Sequence, residues 1–150
     1  MGYLKPALIH AKFFPALQGA KSKMSSSNEN SAVFVTDTPE RIAAKVMSAS
    51  SSGLTAEEHR QMGGNTETDT AFQWLTFFEL DDDKLADIAF RYTATPEQLK
   101  AAGKERLMSS GIKQILTKTL QPIVALHQKM RARVTDDMVA AFMTPRPLCL

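Results

Sequence analysis

Residues 109–134 read SSGIKQILTKTLQPIVALHQKMRARV, and this run decides the architecture. Ile112, Ile115, Leu116, Leu120, Ile123, Val124, His127 and Met130 recur at three- and four-residue steps, which lines one face of a helix. It is the longest element the sequence predicts. Pro122 removes one backbone donor and crowds the preceding turn, so a kink is expected there. His127 lies on the apolar stripe and is expected to be a hydrogen-bonded core histidine. Lys129, Arg131 and Arg133 form a solvated, basic helix end.

Helix signals continue on both sides of this run. Thr38-Pro39-Glu40-Arg41 places an N-cap hydroxyl before a proline at the first helical position, opening a helix to about Ser48. Thr55-Ala56-Glu57-Glu58 has capping-box spacing, and Gly63-Gly64 supplies the stop. Thr68–Phe78 predicts an aromatic helix whose Phe72, Trp74, Phe77 and Phe78 serve core packing. Asp81-Asp82-Asp83 puts negative charge at the next helix start, where the macrodipole favours it. Thr95-Pro96-Glu97-Gln98 repeats the cap-plus-proline device, and Thr135-Asp136-Asp137 opens a last short helix ending near Phe142. Upstream, Ala7–Phe14 is apolar between Pro6 and Pro15 and reads as a buried strand. Residues 18–31 form a Gly/Ser/Lys/Asn loop, and Ala32-Val33-Phe34-Val35 reads as a second short strand. The expected fold class is mainly α: two strands, then about seven helices.

At 150 residues and 43% apolar content the chain suits one domain, or one small domain with part of another. Its apolar runs fall well short of a membrane span. Cys149 is the sole cysteine, which rules out a disulfide framework within the chain and fits a reducing compartment. His10, His59 and His127 lie far apart without ligand-like spacing, so no metal site is expected. His59 reads as a helix-packing residue. The net charge of +2 hides segregation: residues 53–83 carry one basic and eight acidic side chains, residues 84–134 ten basic and three acidic. Two solvated faces explain this pattern, as does a basic surface for a polyanion.

The chemistry-bearing stretch is Phe13-Phe14-Pro15-Ala16-Leu17-Gln18-Gly19-Ala20-Lys21-Ser22-Lys23-Met24-Ser25-Ser26-Ser27. It brings a lysine, in a small and polar loop, to the end of an apolar segment. A mobile ammonium there can neutralise a departing pyrophosphate more strongly in the transition state than in the ground state. Taken alone, Lys23–Ser27 also reads as a flexible linker.

Six segments in order resemble one family. Lys21–Ser27 resembles the KMSKS loop of class I aminoacyl-tRNA synthetases, and the FFPALQG run before it, with Tyr3–His10, looks like the last catalytic-domain strand of eukaryotic-type cytoplasmic tryptophanyl-tRNA synthetases. Ser31–Pro39 is similar to the segment after their signature loop. Glu57–Gln61 with Gly63-Gly64-Asn65 is similar to their EEHRQxGGN run. Leu75–Phe78 with Asp81–Leu85 resembles LTFF…DDDKL. Leu120-Gln121-Pro122 with His127-Gln128, then Phe142–Arg146, resemble the closing helices.

The resemblance implies a division into residues 1–37, the end of a Rossmann-type catalytic domain carrying the signature loop; 38–134, a helical anticodon-binding domain; and 135–150, a C-terminal helix and tail returning toward the catalytic domain. It implies that Lys23 is the catalytic lysine on the ATP phosphates, with Met24, Ser25, Ser26 and Ser27 forming the ATP loop and Gln18 and Gly19 shaping its approach. It implies that Lys113 faces the anticodon and that Lys129, Arg131 and Arg133 meet tRNA phosphates. Two departures stand out. Ser26 occupies the place of a frequent second lysine. Residues 49–60, ASSSGLTAEEHR, replace the family's AFSGGRDTIEEHR, so Leu54 and serines stand where an Arg-Asp pair reads anticodon bases. Relaxed or altered anticodon recognition is the expectation.

The implied activity is ATP-dependent tryptophan–tRNA ligation with Mg²⁺, tRNA-Trp as partner and a homodimeric parent, without DNA or membrane. The alternative is a non-catalytic RNA-binding or regulatory fragment or paralogue. The nucleotide-binding half with its HxGH-type loop is missing, so the chain reads as a truncation or partial gene product, inactive alone and binding no cofactor. A cytoplasmic location is expected, with a mitochondrial or other organellar one as the alternative.

Overall fold

A computed structural model describes residues 7–19 and 22–145. The expectations on Tyr3–Pro6, Lys21, Arg146 and Cys149 lie outside the described residues. Among the described residues seven α-helices follow one another: α1 (Pro39–Met47), α2 (Ala56–Met62), α3 (Thr70–Phe78), α4 (Asp82–Thr93), α5 (Pro96–Ala102), α6 (Ser109–Arg131) and α7 (Asp136–Met143). A single 3-10 turn at Glu29–Ser31 precedes them. Cap chemistry sets the starts. Thr38, Thr55, Asp69, Asp81, Thr95 and Thr135 each accept a hydrogen bond from a first-turn amide, and Thr55 and Thr95 complete capping boxes with Glu58 and Gln98.

The two expected strands are absent among the described residues, where pairing is limited to one bridge between Ala16 and Gly19. A strand needs a neighbour to take its amides and carbonyls, and Ala7–Phe13 meets none, so Leu8, Ile9 and Phe13 stand exposed. In 32–37 side chains consume the backbone groups instead. The Asp37 carboxylate accepts the Phe34 amide at 2.8 Å, Lys45 Nζ donates to Ala32 O at 3.2 Å, and Gln128 Nε2 donates to Val35 O at 2.9 Å. These bonds hold the segment extended against α1 and α6 without a ladder.

The core runs along α6. Ile112, Leu116, Leu120 and Val124 bury one stripe against α1 and α3, meeting Ile42, Val46, Ala71 and Leu75. The helix continues through Pro122. Beyond Val124 the stripe emerges: Leu126 and Met130 are exposed, and so is His127, which is therefore a surface histidine rather than a core one. The reason is geometric, because α1 and α3 are each 9 residues long against 23 for α6 and run out before its C-terminal turns. No residue of α7 is buried.

The FFPALQG run belongs to this core. Phe14 stacks among Trp74, Phe77 and Phe78, with centroids 4.5, 4.9 and 5.7 Å away, and Trp74 Nε1 donates to Pro15 O at 2.9 Å. Leu17 is 1% exposed.

A second, polar centre joins α2, α3, α4 and the start of α6. The Tyr92 hydroxyl donates to Asp69 Oδ2 at 2.8 Å and lies 3.0 Å from Ser109 Oγ. Burial first, then the neighbouring Asp69 charge, pushes the phenol up to about 12. The Tyr92 carbonyl takes the Gly64 amide at 2.7 Å, His59 Nε2 at 3.3 Å and Arg106 Nη1 at 3.2 Å. Arg106 also reaches Arg60 O at 3.3 Å, so one guanidinium satisfies carbonyls at the ends of α2 and α4.

His59 is 3% exposed, edge-on to Tyr92, and burial holds its imidazole below the ordinary value of 6.5. The unfolded chain therefore binds the proton first. Stability from the neutral ring is complete above pH 6.5 and is lost as the pH falls through the lower folded value. The urea midpoint is expected to drop between pH 7.5 and 5.5, and His59→Gln to flatten that slope. Equal slopes for both proteins would assign the acid sensitivity elsewhere.

Candidate nucleotide and RNA site

The loop around Lys23 is anchored at several points. Met24 packs against the core and Ser25 is half-buried, while Lys23, Ser26 and Ser27 are exposed. Ser25 and Ser27 hydroxyls lie 2.7 Å apart, and the Ser27 amide donates to Ser25 Oγ at 3.3 Å. The buried hydroxyl of Ser31 closes the turn on Ser25 and Asn28. The geometry offers one exposed ammonium on a loop whose amides and hydroxyls are already ordered, which suits an anion of phosphate type.

Gln18 is exposed and Gly19 half-buried in the tight turn before the loop. Gly19 accepts the Ser22 amide at 2.9 Å and has φ +111°, a conformation that favours glycine.

The departing loop, Ser50–Leu54, lies directly against this turn. The Ser50 amide donates to Leu17 O at 2.8 Å, and Ser50 O accepts the Thr70 amide at 3.2 Å. Leu54 is 38% exposed at its tip. Lys113 Nζ, from the first turns of α6, donates to Met47 O at 3.0 Å and Ala49 O at 2.6 Å. Its charge therefore sits on orphan carbonyls where α1 runs into the loop. Leu17 and Gly19, at the approach to the Lys23 loop, thus adjoin Ser50, and Lys113 holds the neighbouring Ala49 carbonyl.

Lys129, Arg131 and Arg133 do not join them. Lys129 lies 16 residues beyond Lys113, about 24 Å along the α6 axis. All three are exposed, and Arg131 lines an open groove with Val35, Thr38, Pro39 and His127.

Sequence reasoning missed the buried ion pair that seats the segment after the loop. Lys45 Nζ lies 2.6 Å from Asp37 Oδ2, with side chains 4% and 2% exposed, and 4.4 Å from the Phe34 ring centre. Burial would raise the Asp37 carboxyl, but the Lys45 hydrogen bond, the Phe34 amide and the Lys45 and Arg41 charges together hold it below its usual 3.8. The only signal in the sequence was the i, i+8 spacing of two ordinary charges.

Comparison with known proteins places these observations in a lineage. The chain is 49% identical over 151 residues to the cytoplasmic tryptophan–tRNA ligase of Oryctolagus cuniculus and 48% identical over 150 residues to that of Homo sapiens. Each alignment covers 99% of this chain and 30% of the relative, so the chain spans about 30% of the length of these relatives. Its structure is similar to the tryptophanyl-tRNA synthetase of Giardia lamblia, with TM-score 0.77 and 33% identity over 90% of this chain and 31% of that one. It is similar to the Plasmodium falciparum tryptophanyl-tRNA synthetase at TM-score 0.69 and 35% identity, covering 89% and 32%. The family model "tRNA synthetases class I (W and Y)" matches residues 2–123, from the exposed apolar lead-in through the loop of Lys23 and into α6, and on that match the chain belongs to this family of class I tRNA synthetases.

Proposed function

We propose that this chain is the C-terminal part of a cytoplasmic tryptophan–tRNA ligase, supplying the nucleotide-phosphate loop and the tRNA-facing helices of an enzyme that activates tryptophan with ATP and esterifies tRNA-Trp. The observation that carries the reading is the family match across residues 2–123 together with 48–49% identity to ligases of that name. In this reading Lys23 meets the ATP phosphates, Ser25–Ser27 shape the loop, and Gln18 and Gly19 border the nucleotide. Two exposed apolar surfaces support a missing body. Leu8, Ile9 and Phe13 suit the edge of a catalytic-domain sheet. The face of α7, with Met138, Val139, Phe142 and Met143, suits packing on that same domain. The parent is a homodimer through that domain.

Among the described residues no group of three His, Cys, Asp or Glu side chains is placed to hold a metal ion. A magnesium ion accompanying ATP would be held chiefly by the nucleotide phosphates and water.

The chemistry assigned to this chain is electrostatic. Attack of the tryptophan carboxylate on the α-phosphorus gathers charge on the departing pyrophosphate, and the Lys23 ammonium stabilises that charge as it develops. On the RNA side, Lys113 shapes the Ser50–Leu54 loop through the Met47 and Ala49 carbonyls. Lys129, Arg131 and Arg133 take phosphates farther along the tRNA.

Two measurements test the reading. The purified 150-residue chain should show no tryptophan-dependent pyrophosphate exchange, whereas the complete ligase carrying it should. Exchange by the chain alone would refute the division of labour. Absence of exchange in the complete protein, with retained RNA binding, would favour the non-catalytic alternative. Because Leu54 and serines offer few base-edge groups, substitution of the first anticodon base of tRNA-Trp should cost less than about fivefold in charging, below the usual range for one lost base contact. Strict discrimination would remove the relaxed-anticodon proposal.

A further inference from the structure

Ser31 has no part in the reading above, yet its side chain is 0% exposed. The hydroxyl accepts the Ser25 amide at 3.0 Å. It lies 2.9 Å from Ser25 O and 2.7 Å from Asn28 O, and donates its single proton to one of them. The Ser31 backbone amide donates to Asn28 O at 2.9 Å, and its carbonyl accepts the amide of Leu17, also at 2.9 Å. One buried residue therefore holds both ends of the Ser25–Asn28 turn and ties it to a core leucine.

We propose that Ser31 is a positioning residue for the Lys23–Ser27 loop, its hydroxyl setting the conformation in which Lys23 is offered to a nucleotide phosphate. This rests on the reading of that loop as the phosphate-binding element. The physical basis is preorganisation. With Ser25 through Asn28 already fixed, binding must order the lysine stem but not the loop backbone. Removing the hydroxyl leaves the half-buried Ser25 amide without its partner, while Ser25 O and Asn28 O keep only the backbone amides of Asn28 and Ser31. The turn then loosens to hydrate them, and the loop must be ordered again with each nucleotide bound.

Two readouts separate positioning from mere stability. In the 150-residue chain, Ser31→Ala should speed amide exchange at Ser25 at least about tenfold, while amides in the middle of α6 keep their wild-type protection. In the complete ligase, the same substitution should raise KM for ATP in pyrophosphate exchange by about tenfold and leave KM for tryptophan within about twofold. Ser31→Cys, which keeps similar size and a weak donor, should fall between Ala and wild type, and it carries the test if Ser31→Ala does not fold. Unchanged Ser25 exchange, or KM values for ATP and tryptophan that rise together, would overturn the proposal. A wild-type ligase without tryptophan-dependent exchange would sink the functional reading instead, and Ser25 exchange would still decide the role of Ser31.

Discussion

Lys23→Ala in the complete ligase is expected to slow tryptophan-dependent pyrophosphate exchange by about 10²–10³-fold, the range for removing one preorganised group from developing negative charge. Within Lys23–Ser27 Lys23 is the only cation, since Ser26 stands at the place of the frequent second lysine. The departing pyrophosphate therefore finds one fewer ammonium here than in a loop with both lysines. The loss should fall on kcat, because charge builds in the transition state more than in bound ATP. KM for tryptophan should stay near wild type. Unfolding midpoints should match as well, since the Lys23 side chain is exposed and outside the core. The informative contrast is Ser26→Lys on the alanine background. Partial recovery there would show that charge in the loop matters more than its place. A loss smaller than about fivefold in Lys23→Ala would remove this lysine from the reaction.

Gly63→Ala is expected to be the most damaging of these substitutions for folding. Gly63 ends α2 at φ +83°, and its amide closes the helix on His59 O at 3.0 Å. A methyl group there would stand 2.7 Å from Thr93 C and 3.0 Å from Thr93 Cα, with the carbonyl oxygen closer still. Those atoms are backbone at the end of α4, so no rotamer change relieves the clash. Separation of α2 from α4 would also break the Gly64 amide and His59 ring bonds to the Tyr92 carbonyl. Positive φ and a backbone collision together should cost about 3–5 kcal/mol, read from denaturant titration of the 150-residue chain. Gly103→Ala is the control. It has φ +62° but open space around the new methyl, so only the left-handed penalty of about 1–2 kcal/mol applies. Equal losses at the two sites would mean that the contact with Thr93 does not matter.

Much of the helical part was legible locally. Thr38, Thr55, Asp81, Thr95 and Thr135 announce their helices because a cap is a contract between residues three apart, and Gly63 announces a stop by an equally local signal. The stripe Ile112–Val124 named the buried face of α6 by its period alone. The strands failed because a strand is defined by a partner. Apolar runs such as Ala7–Phe14 say only that a segment prefers cover, and here Phe14 turns into the helical core while Ile9 stands fully exposed. His127 failed similarly: periodicity gives a face but not the length of the neighbours that cover it.

The sequence by itself determined the family resemblance, most helix starts and the lysine of Lys23–Ser27, since these depend on residue identity and short-range spacing. Only the tertiary structure decided which ordinary residues seat that loop and the segments around it. Ser31, Lys45 with Asp37, and Lys113 on the Met47 and Ala49 carbonyls act across separations of 6 to 66 residues. No local pattern encodes such pairings. They arise because burial leaves each polar group few available partners, and the fold determines which ones those are.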